Sequence, residues 1–451
     1  MLKRALILLA LMAWSALAAA PVVMISIDGL RPDYVTKADE HKLSIPTLRR
    51  FVTEGTYADG VTGVLPTVTY PSHTTLVTGV APARHGIFSN NVFDPEMHNM
   101  LGWFWYAEDI RVPTLWDAAS AAGLATASVN WPVTVGQKSI RYNIPEYWRG
   151  SAEEDRKLLR ALSTAGLLDD VEKAAGPYAA GDRAGTDDDA VRARAAAWIL
   201  EKYRPRFLTL HLSALDHSEH GHGPFSEEAN RTLESLDGEV SRVIAAARAA
   251  DPATVVVVVS DHGFLPVERH CNLLIPFLDA KLIELGSPAG DFILVPQVKH
   301  WDAMVWPDGG AAAIVLARPS DQALAARVRG LLAKLAADPA NGIARFLEKD
   351  EIVKQGGFPD ASFVVEAAPG YDIGLAIEGP LVTGAPGTGN HGYLPERPEM
   401  RASLFILGAG IAAHRDLGVV DMRRIAPTVA RLLGVSLPTA ELPALEMQPG
   451  R

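Results

Sequence analysis

The chain has 451 residues, of which 48% are hydrophobic and 21% charged, enough apolar material for a large core in one large domain with insertions or in two domains. A single cysteine excludes a disulfide framework. A formal net charge of -11 argues against specific nucleic-acid binding, which needs a basic face to replace counterions.

Lys3 and Arg4 precede an apolar run from Ala5 to Trp14 and then the small residues Ser15-Ala16-Leu17-Ala18, the layout of a secretory signal cut after Ala18. The run is short for a bilayer span, and no later segment is long and apolar enough to cross one. The expectation is an exported protein, periplasmic or secreted, with residues 1 to 18 removed and no transmembrane segment left; an uncleaved anchor is the alternative.

Pro21 to Ile27 is a β-branched apolar run that reads as a buried strand ending at Asp28-Gly29. A carboxylate at the end of a central parallel strand lies where open α/β sheets bind ligands. Ile45 to Phe51 is a helix stopped by Gly55, and Tyr57 to Leu65 is expected to return as a strand.

Next comes L-P-T-V-T-Y-P-S-H from Leu65 to His73, in which Thr69 precedes a helix-like run. The first N–H groups of a helix lack internal partners and carry partial positive charge, which favours a phosphoryl oxygen or an alkoxide. Thr69 is therefore a candidate nucleophile, against the plainer reading of a helix cap. His85 reads as a turn holder, whereas the Asn90 amide is a neutral donor suited to a phosphoryl oxygen.

Pro113 to Ala122 reads as a helix, Leu124 to Val129 as a strand, and 150 to 200 as a charged, alanine-rich helical cover. The strand Phe207 to Leu215 runs into Asp216-His217-Ser218-Glu219-His220, expected as a Gly/His loop, and Glu227 to Ala250 has helical periodicity. Thr254 to Ser260 is a valine strand ending in Asp261-His262. The pattern then changes, so 19 to 264 reads as the first part of an α/β core, 265 to 376 as an inserted α+β subdomain, and 377 to 451 as the core's C-terminal part. In that last part His391 stands in a glycine-rich loop, ahead of a strand from Ala402 to Leu407 and a helix from Met422 to Leu433.

Asp28, Asp216, His220, Asp261, His262 and His391 thus all follow predicted strands or sit in glycine-rich loops. Carboxylate oxygen and imidazole nitrogen together suit zinc, and six ligands fill two sites. Two such ions stabilise the entering and leaving oxygens of an in-line displacement at phosphorus.

On these segments the chain resembles the alkaline phosphatase superfamily, and more closely its nucleotide pyrophosphatase/phosphodiesterase branch. The matching pieces are I-D-G-L-R-P-D-Y at 27 to 34, P-T-V-T-Y-P-S-H at 66 to 73, T-G-V-A-P-A-R-H-G-I at 78 to 87, D-H-S-E-H-G-H-G-P at 216 to 224, S-D-H-G-F at 260 to 264 and G-N-H-G-Y at 389 to 393. The resemblance implies an alkaline-phosphatase-like three-layer α/β sandwich with a central, mostly parallel sheet. It implies that Asp216, His220 and His391 bind one zinc and that Asp28, Asp261 and His262 bind the other, completed by Thr69. Asn90 and the Thr69 N–H would hold a phosphoryl oxygen, with Tyr70, and less directly Tyr147, stacking on the leaving group.

The implied substrate is a small-molecule phosphodiester or nucleotide, cleaved through a phosphothreonine. A sulfatase is excluded, because the one cysteine sits in H-C-N-L-L. A threonine-type phosphomonoesterase, a phosphonate hydrolase and a non-catalytic metal-binding homologue are the competing readings. Ser72 and Phe264 depart from the Asn and Met usual in the branch.

Overall fold

The computed structural model describes residues 19–96, 102–147, 153–178, 185–288 and 296–447; the expected signal segment, residues 1 to 18, lies outside them. The valine-rich and isoleucine-rich runs form the middle of an eight-stranded sheet. Its order, by first residue, is Arg415, Thr56, Leu404, Val255, Val22, Phe207, Thr126, Tyr142. The strand Val22–Ile27 runs parallel to Phe207–Leu212 and to Val255–Val259, and Leu404–Leu407 pairs antiparallel to the latter. All three central strands are buried along their whole length, as expected of strands covered on both faces.

Side chains alternate between the faces with a period of two. Val23, Ile25 and Ile27 enter a core closed by helices Thr186–Tyr203 and Glu227–Ala250 through Ala196, Leu200, Leu233 and Val240. Met24, Val257 and Val259 face the other way, toward helices Thr69–Thr78 and Ile425–Leu433 through Leu76, Val77 and Val429. The result is a helix–sheet–helix sandwich, as the sequence led one to expect.

The expected strand from Tyr57 to Leu65 is instead two short pieces, Thr56–Tyr57 and Gly60–Thr62. From Leu265 onward the chain builds smaller sheets. One is four-stranded and antiparallel, with Ala303–Asp308, Ala311–Leu316, Ala361–Ala367 and Ile343–Glu348 side by side. Helix Gln322–Ala336 contributes Leu324, Val328 and Leu332 to the core of this part. A three-stranded sheet places Leu265–Cys271 between Gly370–Ile373 and Val382–Asn390.

The last pairing corrects the expectation of a glycine-rich loop before His391, because Val382–Asn390 is a strand. Its register shifts between Gly384 and Thr388, so Pro386 falls where a ladder N–H is not needed.

Candidate metal centre and its cavity

Two neighbouring central strands deliver acidic residues to the same edge. Asp28 follows Val22–Ile27, and Asp261 and His262 follow the neighbouring valine strand. Ligand atoms of these three lie within 4.8 Å of one another. Asp261 Oδ1 accepts a hydrogen bond from the Gly29 N–H at 3.2 Å, which locks the two strand ends together.

Asp216, His220 and His391 form a second group with ligand atoms equally close. Asp216 and His220 were expected in a loop; they lie in helix Ala214–His222, where a spacing of four puts them on one face. The Glu219 carboxylate, buried beneath that helix, accepts a 2.8 Å hydrogen bond from the Tyr34 hydroxyl and so ties the helix to the core. Gly29, at φ 74°, has to lack a side chain, since a Cβ there would lie 2.7 Å from Glu219 Oε2.

The two groups touch. The His391 ring stacks on the His262 ring, with centroids 3.6 Å apart and planes 9° from parallel. His391 Nδ1 lies 3.1 Å from the Thr67 carbonyl oxygen, and His220 Nδ1 lies 3.1 Å from that of Gly389. In each ring this turns Nε2 toward Asp216, which it approaches to 3.6 and 3.4 Å.

Thr69 opens helix Thr69–Thr78 with its neighbour Val68 in extended conformation. It sits between Thr67, which holds His391, and His73, whose Nδ1 lies 2.8 Å from the Thr69 carbonyl and 3.6 Å from Asp261. The Tyr70 N–H donates to Asn90 Oδ1 at 2.8 Å, which fixes the amide beside the helix start.

Tyr70 itself requires a correction. Its ring is wholly buried, with Trp103 edge-on at 5.2 Å and Trp105 at 6.0 Å, so no face is offered to a substrate. Tyr147 is half-buried and packs on Trp105 at 4.9 Å.

The donor set suits a cation. Asp28 Oδ1, Asp216 Oδ1, Asp261 Oδ2 and His262 Nε2 are buried without a regular hydrogen bond and meet only one another or a neighbouring imidazole, at 3.1 to 3.6 Å. Burial first, and then the charges of Asp261 and Asp216, push the Asp28 carboxyl well above the usual carboxylate range. Burial would depress His262, but Asp261 and Asp28 outweigh it and raise the imidazole to about 9. Burial, reinforced by His262 and His220, pushes His391 well below the ordinary histidine value, leaving it neutral as a metal ligand must be. Two imidazoles and a carboxylate in one group, and one imidazole and two carboxylates in the other, are donor sets that fit zinc.

Sequence reasoning missed His211. Its Nε2 lies 3.0 Å from Asp28 Oδ2, while Nδ1 lies 3.1 Å from the Asn130 carbonyl and 3.3 Å from Glu146. A lone histidine inside the apolar strand F-L-T-L-H-L was the available signal. His211 sits across from Ser26 in the parallel register, on a position that borders the end of the Asp28 strand.

A mostly parallel α/β sandwich with two carboxylate–imidazole groups along one edge of its sheet defines an α/β protein with a candidate metal centre. The chain belongs to the type I phosphodiesterase/nucleotide pyrophosphatase family, whose model matches residues 22–394. It is 26% identical over 256 residues to human ectonucleotide pyrophosphatase/phosphodiesterase family member 1, covering 54% of this chain and 23% of that protein. It is also 26% identical over 297 residues to an uncharacterized pyrophosphatase/phosphodiesterase of Schizosaccharomyces pombe, covering 64% of this chain and 50% of that one. The matches thus span from about a quarter to half the length of these curated relatives.

Among solved structures, human ectonucleotide pyrophosphatase/phosphodiesterase 5 superimposes with a TM-score of 0.62 at 19% identity, covering 92% of this chain and 95% of that one. An inactive threonine-to-alanine variant of the murine protein, solved in complex with AMP, gives 0.63 at 20% identity over 94% and 96%. These likenesses show the shared fold.

Proposed function

We propose that this chain hydrolyses phosphodiester or pyrophosphate bonds of small molecules, nucleotides included, through a phosphothreonine formed on Thr69. Two zinc ions would be held by Asp216, His220 and His391 on one side and by Asp28, Asp261 and His262 on the other. The observation that carries this reading is the pair of carboxylate–imidazole groups beside the start of the Thr69 helix, to which His391 is tied through the Thr67 carbonyl and Asp261 through His73.

Bound there, divalent cations supply positive charge that lowers the pKa of a hydroxyl and stabilises charge developing on phosphoryl oxygens. Thr69 attacks phosphorus, one ester group leaves, and water then cleaves the phosphothreonine, so configuration at phosphorus is retained overall. Asn90, its carbonyl engaged by the Tyr70 N–H, directs its amide N–H groups toward a phosphoryl oxygen. His211 holds Asp28 in place.

The cavity bordered by Val68, Asn90 and His391 is lined by no lysine or arginine among the described residues, which favours a diester over a doubly charged monoester. Export to the periplasm or beyond belongs to the same proposal.

The test compares the zinc-loaded protein on a nitrophenyl phosphodiester, a nitrophenyl monoester and phosphonoacetate. Preference for the diester, lost in Thr69→Ala with two ions retained, is the expected result. Preference for either other compound refutes the diesterase reading.

A further inference from the structure

We infer that Glu146 is a positioning residue for the hydrolysis: through His211 it aims Asp28, and through the Tyr70 hydroxyl it holds the first turn of the Thr69 helix. The nucleophile and one cation group would then be set from a single side chain. The inference rests on the phosphodiesterase reading and adds a residue that acts through others without touching substrate.

Glu146 comes just after the edge strand Tyr142–Ile144, which lies parallel to Thr126–Val129; that strand pairs in turn with Phe207–Leu212, which carries His211. Two neighbouring strand ends therefore meet the same ring. Asn130, just past Thr126–Val129, donates its N–H to the Ile144 carbonyl at 2.8 Å and takes a left-handed backbone at φ 55°, which asparagine accepts more readily than most residues. Its carbonyl oxygen lies 3.1 Å from His211 Nδ1, and Glu146 Oε2 lies 3.3 Å from the same nitrogen. With Nδ1 held on that side, the ring turns Nε2 to Asp28 Oδ2, at 3.0 Å. A ligand carboxylate is thus aimed by an imidazole that a second carboxylate braces, the kind of outer support on which cation affinity depends.

The other arm runs to Tyr70. Its wholly buried phenol stands beside Glu146; burial, and then this carboxylate, push it well above the usual tyrosine value. The Tyr70 hydroxyl has no hydrogen-bond partner elsewhere among the described residues. On the backbone of the same residue, the N–H donates to Asn90 Oδ1 and the carbonyl accepts from Thr74 Oγ1, each at 2.8 Å. Tyr70 is pinned at both ends, and Thr69 precedes it on the same turn. Moving an attacking oxygen by about 1 Å costs up to about a hundredfold in rate, so a group that ties this turn to the Asp28 bracket bears on kcat.

The experiment uses the zinc-loaded full chain with methyl 4-nitrophenyl phosphate and measures kcat, KM and, by competition with a chelator, the affinity of each ion. Glu146→Leu keeps the bulk and removes both arms. It should lower kcat about tenfold to a hundredfold, leave KM within about twofold, and weaken about tenfold the ion at Asp28, Asp261 and His262 with the other ion unchanged. Glu146→Gln, which restores an acceptor for Tyr70, should recover part of the kcat while the ion at Asp28 stays weakened. Tyr70→Phe removes one arm only, so kcat should fall severalfold with KM and both ion affinities as before. A merely structural Glu146 would lower Tm and leave kcat, KM and both affinities of the folded protein unmoved, which overturns the inference. Should Glu146→Leu fail to fold, Glu146→Gln and Tyr70→Phe decide on the same readouts. If the unsubstituted protein cleaves no ester, the phosphodiesterase reading has failed, and selective weakening of the ion at Asp28 in Glu146→Gln decides the His211 arm by itself: weakening supports it, and equal affinity overturns it.

Discussion

The two ligand groups are built from different materials. Asp28, Asp261 and His262 hang from adjacent parallel strands, are wholly buried, and are braced by the Gly29 N–H and by His211. Asp216 and His220 ride on one turn of a nine-residue helix, and His391 arrives at the end of a strand that pairs outside the main sheet. His220 keeps 39% of its side chain exposed, against none for His262. The inner group is therefore a fixed seat and the outer one an accessible seat, whose occupancy should respond to solution conditions.

The largest expected effect strikes what both seats serve. Thr69→Ala should lower kcat on a phosphodiester by about a thousandfold or more while metal analysis still finds two ions per chain. An active Thr69→Ala protein would leave the two seats without the shared role assigned to them.

The seats themselves are separated by Asp261→Asn and His220→Gln. The first should leave the inner seat empty through dialysis, with kcat down by about a hundredfold. The second should weaken only the outer ion, which added zinc restores. Identical metal loss in both variants would erase the distinction between fixed and accessible.

His211→Phe sharpens it further, because it removes the donor behind Asp28 and touches no atom of the outer group. Inner-ion affinity should fall by about tenfold to a hundredfold, measured by competition with a chelator, with His211→Gln recovering part of the loss.

The smallest effect concerns pH. In the metal-free protein His262 titrates at about 9, above the ordinary histidine value near 6.5, so its pairing with Asp261 and Asp28 stabilises the fold fully below that lower value. That contribution is lost as pH rises from about 6.5 through 9, and His211, likewise raised through Asp28 and Glu146, acts with the same sign. Scanning calorimetry of metal-free protein should show Tm falling across that window. Zinc-loaded protein, in which His262 is already deprotonated, should show a smaller dependence.

The inner seat was the more legible in the sequence. Asp28 and Asp261 each follow a run of apolar residues broken only by a serine, and such runs belong in the middle of a buried sheet. The outer seat was legible in its residues but not in its elements. Glycines and histidines around Asp216 lower helix propensity, and the helix forms because Glu219 is anchored by Tyr34, 185 residues away. The strand before His391 was hidden by its glycines and Pro386, which only a partner strand with a register shift can accommodate.

Tyr70 was misread because what covers it, Trp103 and Trp105, comes from a segment without periodicity. Nothing local marks a tyrosine as walled in. His211 passed unnoticed because its meaning depends on Asp28 and Glu146, partners that no spacing reveals.

The strand Val382–Asn390 has one foot in each half of the molecule. Along its length it is hydrogen-bonded to the small sheet, its last residue holds Asp372, and the next residue is a ligand of the outer seat. Whatever presses on the small sheet therefore bears on His391, and excising residues 265 to 376 would strip this strand of its partner Leu265–Cys271 just ahead of a candidate cation ligand. The half that selects and the half that cuts are a single inherited part, which this chain has to keep or lose together.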